Sequence, residues 1–242
     1  MITFQNIHKS YKKDAHVFKQ LNLEITPGEF VVITGSPGSG KTTLLKLILN
    51  EISPDDGDIF YEGIDLDKMS GGNLKKYRRD LGAIFQDYKL LPYKTAYENV
   101  AFALEVMGES DEDILNDTME VLGIVGLTHR KDHFPNELSG GEKQKVAIAR
   151  ALIARPKVIL ADEPTGSLDE ETAKEIMQVL KAINSLGTTI VMTTHNERLA
   201  AGAKGIRKIN IREHGVVHDE HSKLNHSVPV NEEEQITYEK NI

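Results

Sequence analysis

The run Gly35-Ser36-Pro37-Gly38-Ser39-Gly40-Lys41-Thr42 constrains this chain more than any other segment, because it matches the phosphate-loop pattern at every position. An apolar stretch, Phe30 to Thr34, precedes it, and Leu44, Leu45, Leu47 and Ile48 follow at helical spacing, so the glycines fall between a strand and a helix. Glycine lets the backbone wrap tightly enough for successive N–H groups to face a β-phosphate, and the helix adds the positive end of its dipole. Lys41 brings charge toward the β and γ oxygens. Thr42, at the helix start, is placed to ligate Mg²⁺, and Thr43 reaches the α-phosphate. Alone, this loop specifies a nucleoside triphosphate and nothing more.

A second acidic element supplies what the loop lacks. Lys157-Val158-Ile159-Leu160-Ala161-Asp162-Glu163 reads as an apolar strand ending in two carboxylates. Asp162 is suited to hold Mg²⁺ through water. Glu163, one residue on and facing the other way, is suited to polarise a water for in-line attack on a γ-phosphate.

Strand-like runs at Ile2 to Ile7, Leu21 to Ile25, Phe30 to Thr34 and Ile59 to Tyr61 make the opening β-rich. Helical spacing then appears in Tyr97 to Met107 and Ile114 to Leu122, which predicts a helical subdomain at about 87–145. A helix from Glu142 to about Ala154 leads into the strand Val158 to Ala161, and a helix from Glu170 to Ser185 precedes the strand Thr188 to Thr193. That alternation is the mark of a parallel sheet. Past Gly215 the periodicity fades. Residues 221–242 read as an acidic tail, expected to be mobile, behind a domain over 1–220.

Composition excludes several classes. Without cysteine there are no disulfides or thiolate-bound metals, which suits a reducing cytosol. Met1 leads straight into alternating residues with no export leader, and the longest apolar runs fall far short of the roughly 20 residues needed to span a bilayer, so a membrane role needs a partner. Acids outnumber Lys plus Arg by 37 to 29, which argues against nucleic acid as a partner.

The segment Leu138-Ser139-Gly140-Gly141-Glu142-Lys143-Gln144, just ahead of a helix, resembles the signature motif of ATP-binding-cassette ATPases. Physically it is another anion site, a serine hydroxyl and glycine N–H groups at a helix start. The resemblance covers about residues 1–200 and implies an α/β fold: a P-loop nucleotide-binding domain with an antiparallel β subdomain and a helical subdomain. It implies ATP and Mg²⁺, and a head-to-tail homodimer in which Ser139, Gly140 and Gly141 of one copy close over the ATP held by Lys41 of the other. Tyr11 then stacks on adenine, Gln86 meets the metal and the attacking water, Asp169 lies across the interface and His195 meets the γ-phosphate. Taken singly, Tyr11 reads equally as an edge-strand aromatic, Gln86 as a loop amide and His195 as a strand-end histidine.

Within the family, Ile84 to Pro92 and Thr95 to Ala103 look closest to a bacterial cell-division ATPase, although Ser167 stands where asparagine is usual. That branch implies peripheral attachment to the cytoplasmic face of the membrane through an integral membrane partner, with Leu90, Leu91, Tyr93 and Tyr97 as candidate contacts. Two alternatives stay open: the engine of a lipoprotein, peptide or drug exporter, and a soluble cassette acting on DNA or ribosomes. The second has neither a coiled-coil insertion nor a second cassette to support it.

Overall fold

The computed structural model describes residues 1–12, 15–196, 205–212 and 215–219. The tail read at 221–242 lies outside the described residues. Two sheets form the frame. In the first, strands β1 (Ile2–Lys12), β2 (Ala15–Ile25), β4 (Asp56–Tyr61) and β5 (Ile64–Asp65) run antiparallel in the order β2-β1-β4-β5. β1 extends past the Ile2–Ile7 run read from alternation because register shifts after Phe4 and Ile7 break the two-residue period while pairing continues.

The second sheet has the order β10-β9-β3-β8-β7-β6, built from β3 (Phe30–Thr34), β6 (Leu81–Ile84), β7 (Val158–Asp162), β8 (Thr189–Thr194), β9 (Arg207–Arg212) and β10 (Gly215–Asp219). From β9 to β6 all neighbours are parallel, and β10 closes one edge antiparallel to β9. All five residues of β3 and all six of β8 are buried, which is why they read as unbroken runs. Val31, Ile33, Val158, Leu160 and Val191 join a core shared with the antiparallel sheet and helix α1 (Lys41–Ile48). Phe30, Val32, Ile159, Ala161, Ile190 and Met192 face the opposite core, against helices.

Those helices are α3 (Ala96–Met107), α4 (Asp111–Ile124), α5 (Gly140–Leu152) and α6 (Glu170–Ser185); α2 (Gly71–Asp80) packs separately through Tyr77, its one buried residue. Val100, Leu104, Leu122, Ile148, Ile176 and Leu180 fill the space between them and the sheet. Each full burial of such a side chain contributes about 1.5–3 kcal/mol. Local chemistry starts the helices: Thr95 with Glu98 and Ser139 with Glu142 form reciprocal capping boxes, while Ser110 and Asp169 accept from the N–H groups of Asp113 and Thr172. Among the described residues no helix is long and apolar enough to cross a membrane.

Candidate active site

Strand register builds the site. Thr34 of β3 pairs with Thr194 of β8, Thr193 pairs with Asp162 of β7, and Ala161 pairs with Ile84 of β6. The residues that follow these strands, Gly35, His195, Glu163 and Gln86, therefore emerge at one edge of the sheet, the C-terminal edge where open α/β sheets bind ligands.

The loop from β3 to α1 turns tightly, with Ser39 N–H donating to Ser36 O at 3.1 Å. Gly40 has φ +104°, and a Cβ there would lie 2.6 Å from Val17 Cγ1 and 2.9 Å from Phe18 Cζ, so only glycine fits. Lys41 is buried, and its Nζ donates to Gly35 O at 2.8 Å and Ser36 O at 3.2 Å while standing 3.9 Å from Glu163 Oε1. Ser39 Oγ is buried in the loop without a hydrogen-bond partner among the described residues.

The Thr42 hydroxyl donates to Asp162 at 3.0 Å (Oδ2) and 3.3 Å (Oδ1), joining the helix start to the tip of β7. Thr193 Oγ1 donates to Asp162 Oδ1 at 2.7 Å and accepts from Glu163 N–H at 3.1 Å. Glu163 itself is in the left-handed region, φ 48°, where the strand breaks. Its Oε2 faces both the backbone N–H of His195, at 3.2 Å, and the ring Nδ1, at 2.8 Å. Tyr11 OH lies 3.3 Å from Thr43 Oγ1, with the ring largely exposed. Gln86 makes none of these hydrogen bonds but lies beside the turn after Glu163: its Nε2 is 3.7 Å from where a Cβ on Gly166 would stand.

Ser139, Gly140, Gly141 and Asp169 form a second group. The Ser139 hydroxyl accepts from Glu142 N–H at 3.2 Å, and Ser139 N–H donates to Glu142 at 2.8 Å. That backbone bond, with help from Arg130, holds the Glu142 carboxyl below its usual range. A Cβ on Gly141 would lie 2.5 Å from Thr172 Cγ2, so the start of α5 abuts the start of α6, where Asp169 accepts from Thr172. Hydrogen bonds from Thr172 hold the Asp169 carboxyl low as well. No hydrogen bond ties this second group to the Gly35–Thr43 loop among the described residues.

Sequence reasoning missed Thr193, hidden in the apolar run of β8, and Asn99 at the core of α3. Asn99 is fully buried: its Oδ1 accepts from Leu91 N–H at 2.7 Å, and its Nδ2 donates to the carbonyls of Leu91, Lys94 and Thr95. It fixes the loop carrying the candidate contacts. Of these, Leu90 and Tyr97 pack against the helical core and so belong partly to it, whereas Tyr93 is 92% exposed.

A glycine loop running from a strand into a helix, a buried lysine over it, and an Asp-Glu pair at the tip of a parallel strand one place removed in the same sheet define a P-loop nucleotide hydrolase. The family model described as "ABC transporter" matches residues 18–166. The chain belongs to the ATP-binding-cassette family and is an ATPase. Among curated proteins it is 44% identical over 220 residues to the cell division ATP-binding protein FtsE of Streptococcus pneumoniae, covering 91% of this chain and 95% of that one. To FtsE of Bacillus subtilis it is 43% identical over 220 residues, 91% and 96% of the two chains. To FtsE of Escherichia coli the figure is 40% over 199 residues, 82% and 90%. Among solved structures, it is 38% identical to an ATP-binding cassette captured as a dimer in a post-hydrolysis state bound to ADP and Pi, with a TM-score of 0.80 and coverage of 91% and 98%.

Proposed function

We propose that this chain is the ATPase of a cell-division complex, in which two copies close head to tail on ATP and pass the resulting cycle to an integral membrane partner resembling FtsX. The observation that carries the chemistry is the Thr42–Asp162 hydrogen bond beside the Lys41–Glu163–His195 cluster, which joins the Gly35–Thr42 loop after β3 to two carboxylates at the end of β7, with β8 between the two strands. The division role is supported by relatives of that name, 40–46% identical across the chain.

In this reading ATP is the substrate. The N–H groups of residues 35–42 and the Lys41 ammonium bind its phosphates, Ser39 Oγ gains a partner, and Tyr11 covers the adenine. Thr42, Asp162 and Gln86 offer hydroxyl, carboxylate and amide oxygens, the hard donor set that fits Mg²⁺. When bound there, Mg²⁺ would neutralise charge on the phosphate oxygens. Glu163, oriented by His195, takes a proton from the attacking water, and His195 also meets the γ-phosphate. Ser139, Gly140 and Gly141 of a second copy, with Asp169 at the seam, complete the site from the far side. That accounts for their standing in a separate group within one chain.

Tyr93, exposed on the loop seven positions after Gln86, offers the membrane partner a contact, so opening and closing around ATP reaches the partner through this loop. The partner then activates a cell-wall hydrolase, with the chain held peripherally at the cytoplasmic face and no nucleic acid involved. To test this, tagged Glu163→Gln protein is captured with ATP from native membranes and the co-purifying integral membrane protein identified. An FtsX-like protein is expected; a substrate-carrying permease would instead make this chain an exporter subunit.

A further inference from the structure

The turn after Gln86 is an unusual piece of backbone. Tyr88 and Lys89 are consecutive non-glycine residues in the left-handed region, with φ 60° and 49°, a conformation that L side chains adopt rarely and seldom in succession. Lys89 N–H folds back onto Asp87 O at 2.6 Å. One side chain bridges both strained residues: Arg150 donates through NH1 to Lys89 O at 2.5 Å and through NH2 to Tyr88 O at 2.8 Å. No carboxylate pairs with Arg150 among the described residues, and burial lowers its pKa, so this half-buried guanidinium is committed to two backbone carbonyls.

Arg150 is itself fixed. The adjoining Ala151 carbonyl sits so close to β6 that a Cβ on Gly82 would come within 2.5 Å of it, which locks this end of α5 onto the strand that leads into Gln86. The other end of α5 is capped by Ser139, eleven positions earlier and ~16 Å away along the helix axis. Tyr88 adds a second tie, its OH 3.1 Å from Ser167 Oγ.

We infer that Arg150 is a positioning residue for Gln86: its fork holds the Tyr88–Lys89 turn in its strained form and so makes the placement of Gln86 follow the movement of α5. The inference rests on the proposed role of Gln86 at the ATP site. A helix that carries the signature segment at one end and grips the Gln86 loop at the other transmits closure of the second copy onto Ser139 to the reacting end of ATP. The planar fork matters because NH1 and NH2 hold the two carbonyls at a fixed spacing and in one plane, whereas a lysine ammonium meets such a pair as a rotatable point charge.

The test is a double-mutant cycle on the full-length protein, with kcat and KM for MgATP, the thermal midpoint, and amide exchange over residues 86–91. Arg150→Met, and Arg150→Lys as the variant that keeps charge and stem, are expected to lower kcat by between about tenfold and a hundredfold with KM within about twofold, and to speed exchange in 86–91. In a Gln86→Ala background the same changes are expected to cost little more, because both act through one group. Lys89→Gly, which relieves the left-handed strain, is expected to restore part of the kcat lost in Arg150→Met. Equal losses in the two backgrounds, full rescue by lysine, or a lower thermal midpoint with unchanged kcat would each overturn the inference. Wild-type kcat in Gln86→Ala alone would overturn the reading of the ATP site itself, while the exchange data would still report separately whether Arg150 holds the turn.

Discussion

Glu163 and His195 meet through two contacts on a single carboxylate oxygen, with the ring Nδ1 at 2.8 Å and the backbone N–H at 3.2 Å from Oε2. If Glu163 is the base proposed above, the ring of His195 is the side chain that orients it. In His195→Ala the backbone donor remains and the ring contact is lost. The expected result is a kcat lower by between about tenfold and a hundredfold at saturating MgATP, with a smaller change in KM. A raised KM at unchanged kcat would make His195 a binding group only.

Asp162 accepts from both Thr42 and Thr193, so its charge is held at the tip of β7 where hard oxygen donors gather. Asp162→Asn keeps the size and removes the charge. Turnover titrated against free Mg²⁺ is expected to show half-saturation raised by at least about tenfold, and chelation is expected to abolish wild-type turnover. Superimposable Mg²⁺ titrations for the two proteins would contradict the assignment.

Asn99 holds the loop before α3 by four hydrogen bonds from a fully buried amide. Asn99→Ala leaves Leu91 N–H and the Lys94 carbonyl without the side-chain partner that pairs them, while the Leu91 and Thr95 carbonyls keep their backbone donors, and it is expected to destabilise the protein by about 2–4 kcal/mol in urea unfolding. Because the loop carries Tyr93, partner capture is expected to weaken more than ATP turnover of the isolated protein. A stability change below about 0.5 kcal/mol would show that the loop holds without it.

What the sequence made legible follows from how each element is buried. β3 and β7 are enclosed on both faces, so Phe30–Thr34 and Val158–Ala161 stand out as apolar runs, and the amphipathic α6 was readable to both its ends. α2 escaped notice because it opens with two glycines and buries only Tyr77. β6 is four residues long and contains a glycine. β9 was obscured by Arg207, a charged residue at a buried strand position, held there by Asp219, Glu29 and the Glu24 carbonyl. The Gly35–Thr42 loop and the Asp162-Glu163 pair are contiguous motifs and were readable. That Thr42 meets Asp162 across 120 positions depends on the order of strands in the sheet, which no local pattern encodes. The hold of Arg150 on Tyr88 and Lys89 was hidden for the same reason, since the partners are backbone atoms about 60 positions away.

The central claim is that one chain carries two incomplete halves of an ATP site, one around Lys41 and Glu163 and the other around Ser139, which meet only between copies. The most direct test is the solution mass of Glu163→Gln with MgATP, since that variant keeps the binding contacts and loses water activation. The account predicts that the mass doubles with ATP, reverts with ADP, and stays monomeric with ATP when Ser139→Arg is added. A Glu163→Gln protein that binds ATP and remains a monomer would contradict it.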